Sequence, residues 1–158
     1  MRRIGIADTT FARYDMGRAA EAELKGMGTG FKVVRRTVPG IKDLPLACKR
    51  LIEEDGCDLV LAMGMPGPLP VDKQSALVAD IGLQEAQISA NAPILGVFVY
   101  EDEAADAKEL AWLAERRARE HARNAYHLLF RPQVLRKNAG MGLREGFKDV
   151  GPLKSSYR

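Results

Sequence analysis

The chain is predicted to be α/β, a three-layer α/β/α sandwich with a four-stranded parallel sheet. Three observations predict it. Short apolar runs at residues 3–7, 31–38, 59–63 and 94–100 alternate with longer segments of helical periodicity. The third and fourth runs, Leu59-Val60-Leu61-Ala62-Met63 and Ile94-Leu95-Gly96-Val97-Phe98-Val99, show no polar alternation, the pattern of parallel strands covered on both faces. Finally, 158 residues bury one substantial core, so a single domain over residues 1–158 is expected, with a short flexible C-terminal tail from about residue 151.

The elements follow in order. The first strand leads into Asp8-Thr9-Thr10-Phe11-Ala12-Arg13, and a helix over residues 15–25 ends in Gly26, Gly28 and Gly30. The second strand stops at Pro39. A second helix has Pro45 in its first turn, where a missing amide is tolerated, and ends at Asp55-Gly56. The third helix, residues 72–90, carries Leu77, Ile81 and Ile88 on one line and Val78, Gly82, Ala86 and Ser89 on another. With so little polar face it lies between its own sheet and a subunit contact. The fourth helix, residues 105–130, has Ala111, Ala114, Ala118, Ala122, Ala125 and Leu129 at spacings of three and four, so it approaches the sheet closely. Pro132 stops it. A glycine-punctuated segment, residues 139–147, is expected to cover a neighbour.

Composition narrows the function classes. At 46% hydrophobic and 28% charged, the chain has the balance of a soluble globular protein. Its net charge of +3 does not argue for nucleic acid. Arg116, Arg117, Arg119 and Arg123 share a helix with Glu115 and Glu120 at helical spacing, which makes a solvated, partly paired face. No apolar stretch is long enough to cross a bilayer, and the first residues run directly into a strand pattern, so no membrane partner and a cytoplasmic location are expected. Cys48 and Cys57 lack metal-ligand spacing and are expected to be reduced and structural, with no zinc site. There is no Gly-x-Gly-x-x-Gly after the first strand and no Walker-type loop, which removes dinucleotide and triphosphate enzymes.

Ligands of open parallel sheets bind beyond the carboxyl ends of the strands. Four segments qualify here: residues 8–13, the turn from Pro39 to Asp43, Gly64-Met65-Pro66-Gly67, and Tyr100-Glu101-Asp102-Glu103. Their aromatics, amides, hydroxyls and carboxylates suit a flat heteroaromatic ring carrying a polyol. The turn Val38-Pro39-Gly40-Ile41-Lys42-Asp43-Leu44-Pro45 reads equally as a ligand cradle or as a strand-to-helix corner with an N-cap aspartate. Thr10 and Arg13 read equally as ligand groups or as a cap and a surface arginine. His121 and His127, six residues apart, face different ways and each reads as structural. Three consecutive acids from Glu101 cannot all face one ion, and Trp112 reads as a core anchor.

In combination these segments resemble a known family. Residues 38–45 resemble the Val-Pro-Gly-x-x-Glu-x-Pro turn of lumazine synthases, with Asp43 in place of glutamate. The fuller similarity is to archaeal-type riboflavin synthases, whose fold is flavodoxin-like and lumazine synthase-like. It rests on Asp8-Thr9-Thr10-Phe11-Ala12-Arg13, Thr37 through Pro45, Ala62-Met63-Gly64-Met65-Pro66-Gly67, Val97 through Glu103, Trp112-Leu113-Ala114 through His121, and Gly142-Leu143-Arg144-Glu145-Gly146-Phe147. These six segments span nearly the whole chain.

The resemblance implies a dismutation in which two molecules of 6,7-dimethyl-8-ribityllumazine exchange a four-carbon unit and give riboflavin and a ribitylaminopyrimidinedione. It implies no organic cofactor, a homopentamer with sites between subunits, and for some members a divalent cation (Mg or Mn), about which this sequence is silent. By the same resemblance Asp43 binds ribityl hydroxyls, Thr9, Thr10 and Phe11 touch ring and ribityl chain, and amides at Ile41, Lys42, Met65 and Gly67 read pyrimidine carbonyls. Pro39, Gly40, Met63, Gly64, Pro66 and Tyr100 complete the substrate-binding set, and His121, Glu101 or Asp102 relays protons. Lumazine synthases carry Gly-Asp/Glu-Thr-x-His-Phe after the third strand as an anion nest, whereas this chain reads Gly67-Pro68-Leu69-Pro70-Val71-Asp72. Lumazine synthase, and a non-catalytic lumazine- or flavin-binding oligomer, are the alternatives.

Overall fold

The computed structural model describes residues 1–156. Four strands, β1 (Arg2–Thr9), β2 (Phe31–Val38), β3 (Leu59–Gly64) and β4 (Ile94–Phe98), form one parallel sheet in the order β2-β1-β3-β4. The helices are α1 (Met16–Met27), α2 (Leu44–Glu53), α3 (Pro70–Ala90), α4 (Ala107–Phe130) and α5 (Pro132–Lys137). The expected α/β/α sandwich and its four-stranded parallel sheet are present.

Strand alternation divides the core in two. Ile4, Ile6, Leu59, Leu61, Met63 and Val97 meet α1 and α4, while Ala7, Val60, Ala62 and Ile94 meet α2 and α3. β3 is buried along its whole length, and the edge strand β2 is only half-buried. Its arginines therefore find carboxylates: Arg36 reaches Asp55 at 2.7 Å, and Arg35 pairs with the buried Asp8. Close approach has a price in side chains. A Cβ on Gly5 would stand 2.9 Å from Val60 Cγ2, and one on Gly17 would stand 2.7 Å from Asp8 Oδ2.

Two expectations need correction and two are sharpened. Trp112 is not a core anchor: it is 53% exposed, with the Arg116 guanidinium 5.1 Å from its ring centroid. The buried face of α4 is Leu110, Leu113, Ala114, Ala118, Ala122 and Ala125, and Trp112 turns away from it by the helical period. Tyr126 fills the aromatic core role, against Phe31 and Phe130. Arg117 is not on the solvated face but 7% exposed, donating to Phe98 O at 3.0 Å and to Glu103 Oε2 at 2.7 Å. The segment ending at Phe147, expected to cover a neighbour, lies along its own α4 with Phe147 still 53% exposed: Gly146 N donates to Glu120 Oε2 at 2.6 Å and Asn124 to Glu145 Oε1 at 2.8 Å. Finally, α3 begins at Pro70, two residues before the expected start, and buries Ala76, Ala79, Leu83 and Ala86. Leu77, Val78, Ile81 and Ile88 stay exposed on its outer side.

Candidate active site

From β1 the chain crosses to β2 on one side and later to β3 and β4 on the other, so the strand order reverses beside β1. A cleft of ≈ 220 Å³ opens there, beyond the carboxyl ends of the strands, lined by Phe11, Gly40, Ile41, Lys42, Asp43, Pro66, Gly67, Asp72 and Ser75.

Each wall has a local cause. The β1–β2 ladder continues past the strands: Thr10 N donates to Val38 O at 2.9 Å, Phe11 N to Pro39 O at 3.1 Å, and Thr10 Oγ1 to the same carbonyl at 3.4 Å. These bonds hold Phe11 at the mouth, 56% exposed. Thr9 is buried, its hydroxyl accepting from Ala12 N at 3.2 Å. The Pro39–Asp43 turn closes reciprocally, with Gly40 N donating to Asp43 Oδ2 at 3.0 Å and Asp43 N to Gly40 O at 3.1 Å. Asp43 does occupy the cap position of α2, yet its side chain caps the preceding turn instead of the helix. Both readings of the turn thus hold: it is a corner, and it faces a cleft. Ile41 is 8% exposed and seats against β3, where a Cβ on Gly64 would lie 2.7 Å from Ile41 Cγ2. The turn is pinned by one buried side chain, which leaves Lys42 and Asp43 exposed.

The opposite wall is the start of α3, which the sequence-based site set missed. Asp72 Oδ2 accepts from Leu69 N at 3.0 Å, and a Cβ on Gly67 would overlap that oxygen. An acid three residues after Leu69 and two after Pro70 was the available signal, a helix-start pattern that says nothing by itself about a cleft. Pro68 and Pro70 carry no amide hydrogen, and the Asp72 and Lys73 amides both donate to Leu69 O. The first turn of α3 offers an anion almost no donors.

The remaining predicted residues divide. Met63 and Met65 are each 1% exposed and pack into the α1/α4 core, so their side chains are not at the cleft. Tyr100 is also outside this lining, half-buried against the α2/α3 side of the core with Lys73 Nζ 5.3 Å from its ring centroid. Burial raises its pKa, helped by Asp80. Glu101 is tied in next to the cleft, its amide donating to Pro66 O at 3.0 Å and its carboxylate 3.7 Å from Arg13. Asp102 pairs with Lys73 at 2.6 Å, and Glu103 with Arg117. Those three acids thus go to three different cations, and among the described residues no group of three or more His, Cys, Asp and Glu is placed to hold a metal. Within one chain these three acids do not converge on a shared cation position.

The 6,7-dimethyl-8-ribityllumazine synthase family matches the chain over residues 1–133. The chain belongs to this family. Among its relatives in the curated record, the riboflavin synthase of Methanothermobacter marburgensis is 60% identical, over 97% of this chain and 100% of that protein. The riboflavin synthase of Archaeoglobus fulgidus is 48% identical, over 96% of this chain and 98% of its own. The 6,7-dimethyl-8-ribityllumazine synthase of Methanocaldococcus jannaschii is 33% identical, over 53% of this chain and 66% of that one.

In this lumazine synthase family member, His121 lies on α4, half-buried among Arg117, Glu120 and Glu145 and away from the cleft of its own chain. Burial pushes its pKa below the ordinary value, Glu145 and Glu120 oppose the shift, and Arg117 adds to it. His127 is lowered by burial and by Arg131 and Arg123. Within one chain, then, the cleft gathers Phe11, Gly40, Ile41, Lys42, Asp43, Pro66 and Gly67 from the expected set, and does not gather His121, Asp102 or Tyr100. Among the described residues, no helix is long and apolar enough to cross a membrane.

Proposed function

We infer that this chain is a riboflavin synthase, converting two molecules of 6,7-dimethyl-8-ribityllumazine into riboflavin and 5-amino-6-ribitylamino-pyrimidinedione. The observation that carries the reading is the full-length agreement, at 60% identity, with relatives named riboflavin synthase. The proline-bearing start of α3 supports it, because a phosphorylated co-substrate would find few amide partners there.

The reaction fits a site poor in acids and bases. The two products together contain the atoms of two lumazines, so no oxidant, reductant or organic cofactor is required. The 7-methyl group of the lumazine is acidified by its own ring, and the adjacent ring carbon is electrophilic. The protein gains most by holding two rings against each other, a proximity effect worth up to about 7 to 11 kcal/mol. Phe11 presents a face for stacking, Asp43 Oδ1 accepts from ribityl hydroxyls, and amides of the Ile41-Lys42 turn donate to ring carbonyls. Proton relay falls to Glu101, beside the cleft through Pro66, or to Asp102 or His121 brought from an adjoining subunit.

We propose a homopentamer with sites between subunits. Its support is the outer face of α3, where Leu77, Ile81 and Ile88 are 61%, 55% and 76% exposed in the single chain. Two buried free thiols suit the reducing cytoplasm. Purified protein mixed with the lumazine alone should develop riboflavin fluorescence without any added cofactor. An unchanged lumazine spectrum there, with lumazine formed instead from the pyrimidinedione and the four-carbon phosphate, would reassign the chain to lumazine synthase.

A further inference from the structure

The charged groups lining the cleft are Lys42, Asp43 and Asp72, two carboxylates against one ammonium. Asp43 belongs to the substrate set, whereas Asp72 has no part in the proposed chemistry. It stands at the start of a 21-residue helix, the end of a helix that ordinarily attracts anions. Here that attraction is already answered from within. The Asp72 carboxylate takes the Leu69 amide at 3.0 Å, packs against Gly67 and is itself the anion at the helix end. Leu69 O takes the Asp72 and Lys73 amides, and Pro68 and Pro70 have none to give, which leaves Val71 as the first-turn amide without such a partner among the described residues.

We propose that Asp72 is a specificity-determining residue that makes the cleft select uncharged polyol-bearing rings and reject their phosphorylated counterparts. The assignment rests on the reading of this cleft as the lumazine and flavin site. A ligand phosphate entering so small a space meets a fixed carboxylate in place of a helix terminus, while a neutral ribityl chain loses nothing by its presence. Like charges a few ångströms apart at a partly solvated site shift binding by about tenfold.

The test is flavin fluorescence quenching by the intact oligomer, with riboflavin and riboflavin 5′-phosphate as probes and the ratio of their dissociation constants as readout. The unaltered protein is expected to prefer riboflavin by at least about tenfold, and the preference should shrink as salt screens the carboxylate. Asp72→Asn, which keeps an acceptor for the Leu69 amide, should cut the ratio about tenfold, and Asp72→Glu should retain it. An Asn variant with the ratio of the unaltered protein overturns the proposal. So does a salt-independent preference in the unaltered protein, a reading that stands even where the Asn variant fails to fold. Absence of binding by both flavins to the unaltered protein has a different meaning: the cleft is then not the flavin site, and the assignment falls with that reading.

Discussion

Asp43 Oδ2 accepts from Gly40 N at 3.0 Å, and that bond together with the buried Ile41 side chain sets the shape of the cradle. Asp43→Ala therefore removes a ligand group and a turn bond at once. The expected outcome is a rise of about tenfold in KM with a loss of about 1 kcal/mol in stability, read from steady-state kinetics and denaturant melts. Gly64→Ala tests the other support: its Cβ would lie 2.7 Å from Ile41 Cγ2, so the turn must move or β3 must, at about 1 to 3 kcal/mol and with impaired ligand binding. The two thiols serve as a probe of the core. Burial pushes Cys48 up to about 12 and Cys57 up to about 11, and a thiol reagent at neutral pH should label both only after unfolding. At this scale the turn was legible because Pro, Gly and Asp each have a specific backbone use. Asp72 and Arg117 were not, because their roles depend on which carbonyls and amides arrive beside them from elsewhere in the chain.

At the scale of elements, α4 organises more than its share of the molecule. Arg117 on its inner face joins the end of β4, through Phe98 O, to Glu103 and to Glu145 O of the C-terminal strap, and sits over the Phe147 ring. Arg117→Met leaves the Glu103 carboxylate and two carbonyls short of a donor, and should cost about 3 kcal/mol and loosen the strap to proteolysis. His121 gives α4 a pH dependence with a definite sign. Burial lowers its folded-state pKa, so below about pH 6.5 the unfolded chain binds the proton more readily and stability falls with decreasing pH. Melting temperatures at pH 7.5 and 5.5 should differ by less in His121→Gln than in the unaltered protein. Asp15, Glu23 and Asp58, whose pKa values are lowered in the fold, add their own losses only at more acid pH. The four strands and the four longer helices were readable, β3 as an unbroken apolar run covered on both faces and α4 by its alanine stripe, whereas the short α5 after Pro132 was not. Trp112 was misplaced because residue type predicts burial on average, while one step of 100° along a helix decides it in the particular case.

For the whole molecule, one chain presents an open cleft, an apolar outer face on α3, and its expected proton-relay histidine elsewhere. Those facts belong together if neighbouring copies complete the site. Paired substitutions Leu77→Asp and Ile81→Asp should shift the sedimentation profile towards monomer and abolish turnover, while circular dichroism stays native. The fold was legible in the sequence because it depends on patterns within the chain. The site was legible only in part, because a cleft assembled from loops at the ends of three strands leaves no periodic trace in the chain. The dismutation itself is tested most directly by product stoichiometry. With 6,7-dimethyl-8-ribityllumazine as sole substrate, quantified by chromatography, the account predicts one riboflavin and one ribitylaminopyrimidinedione for every two lumazines consumed. Lumazine that binds without being consumed, or riboflavin formed without an equal amount of the pyrimidinedione, would contradict it.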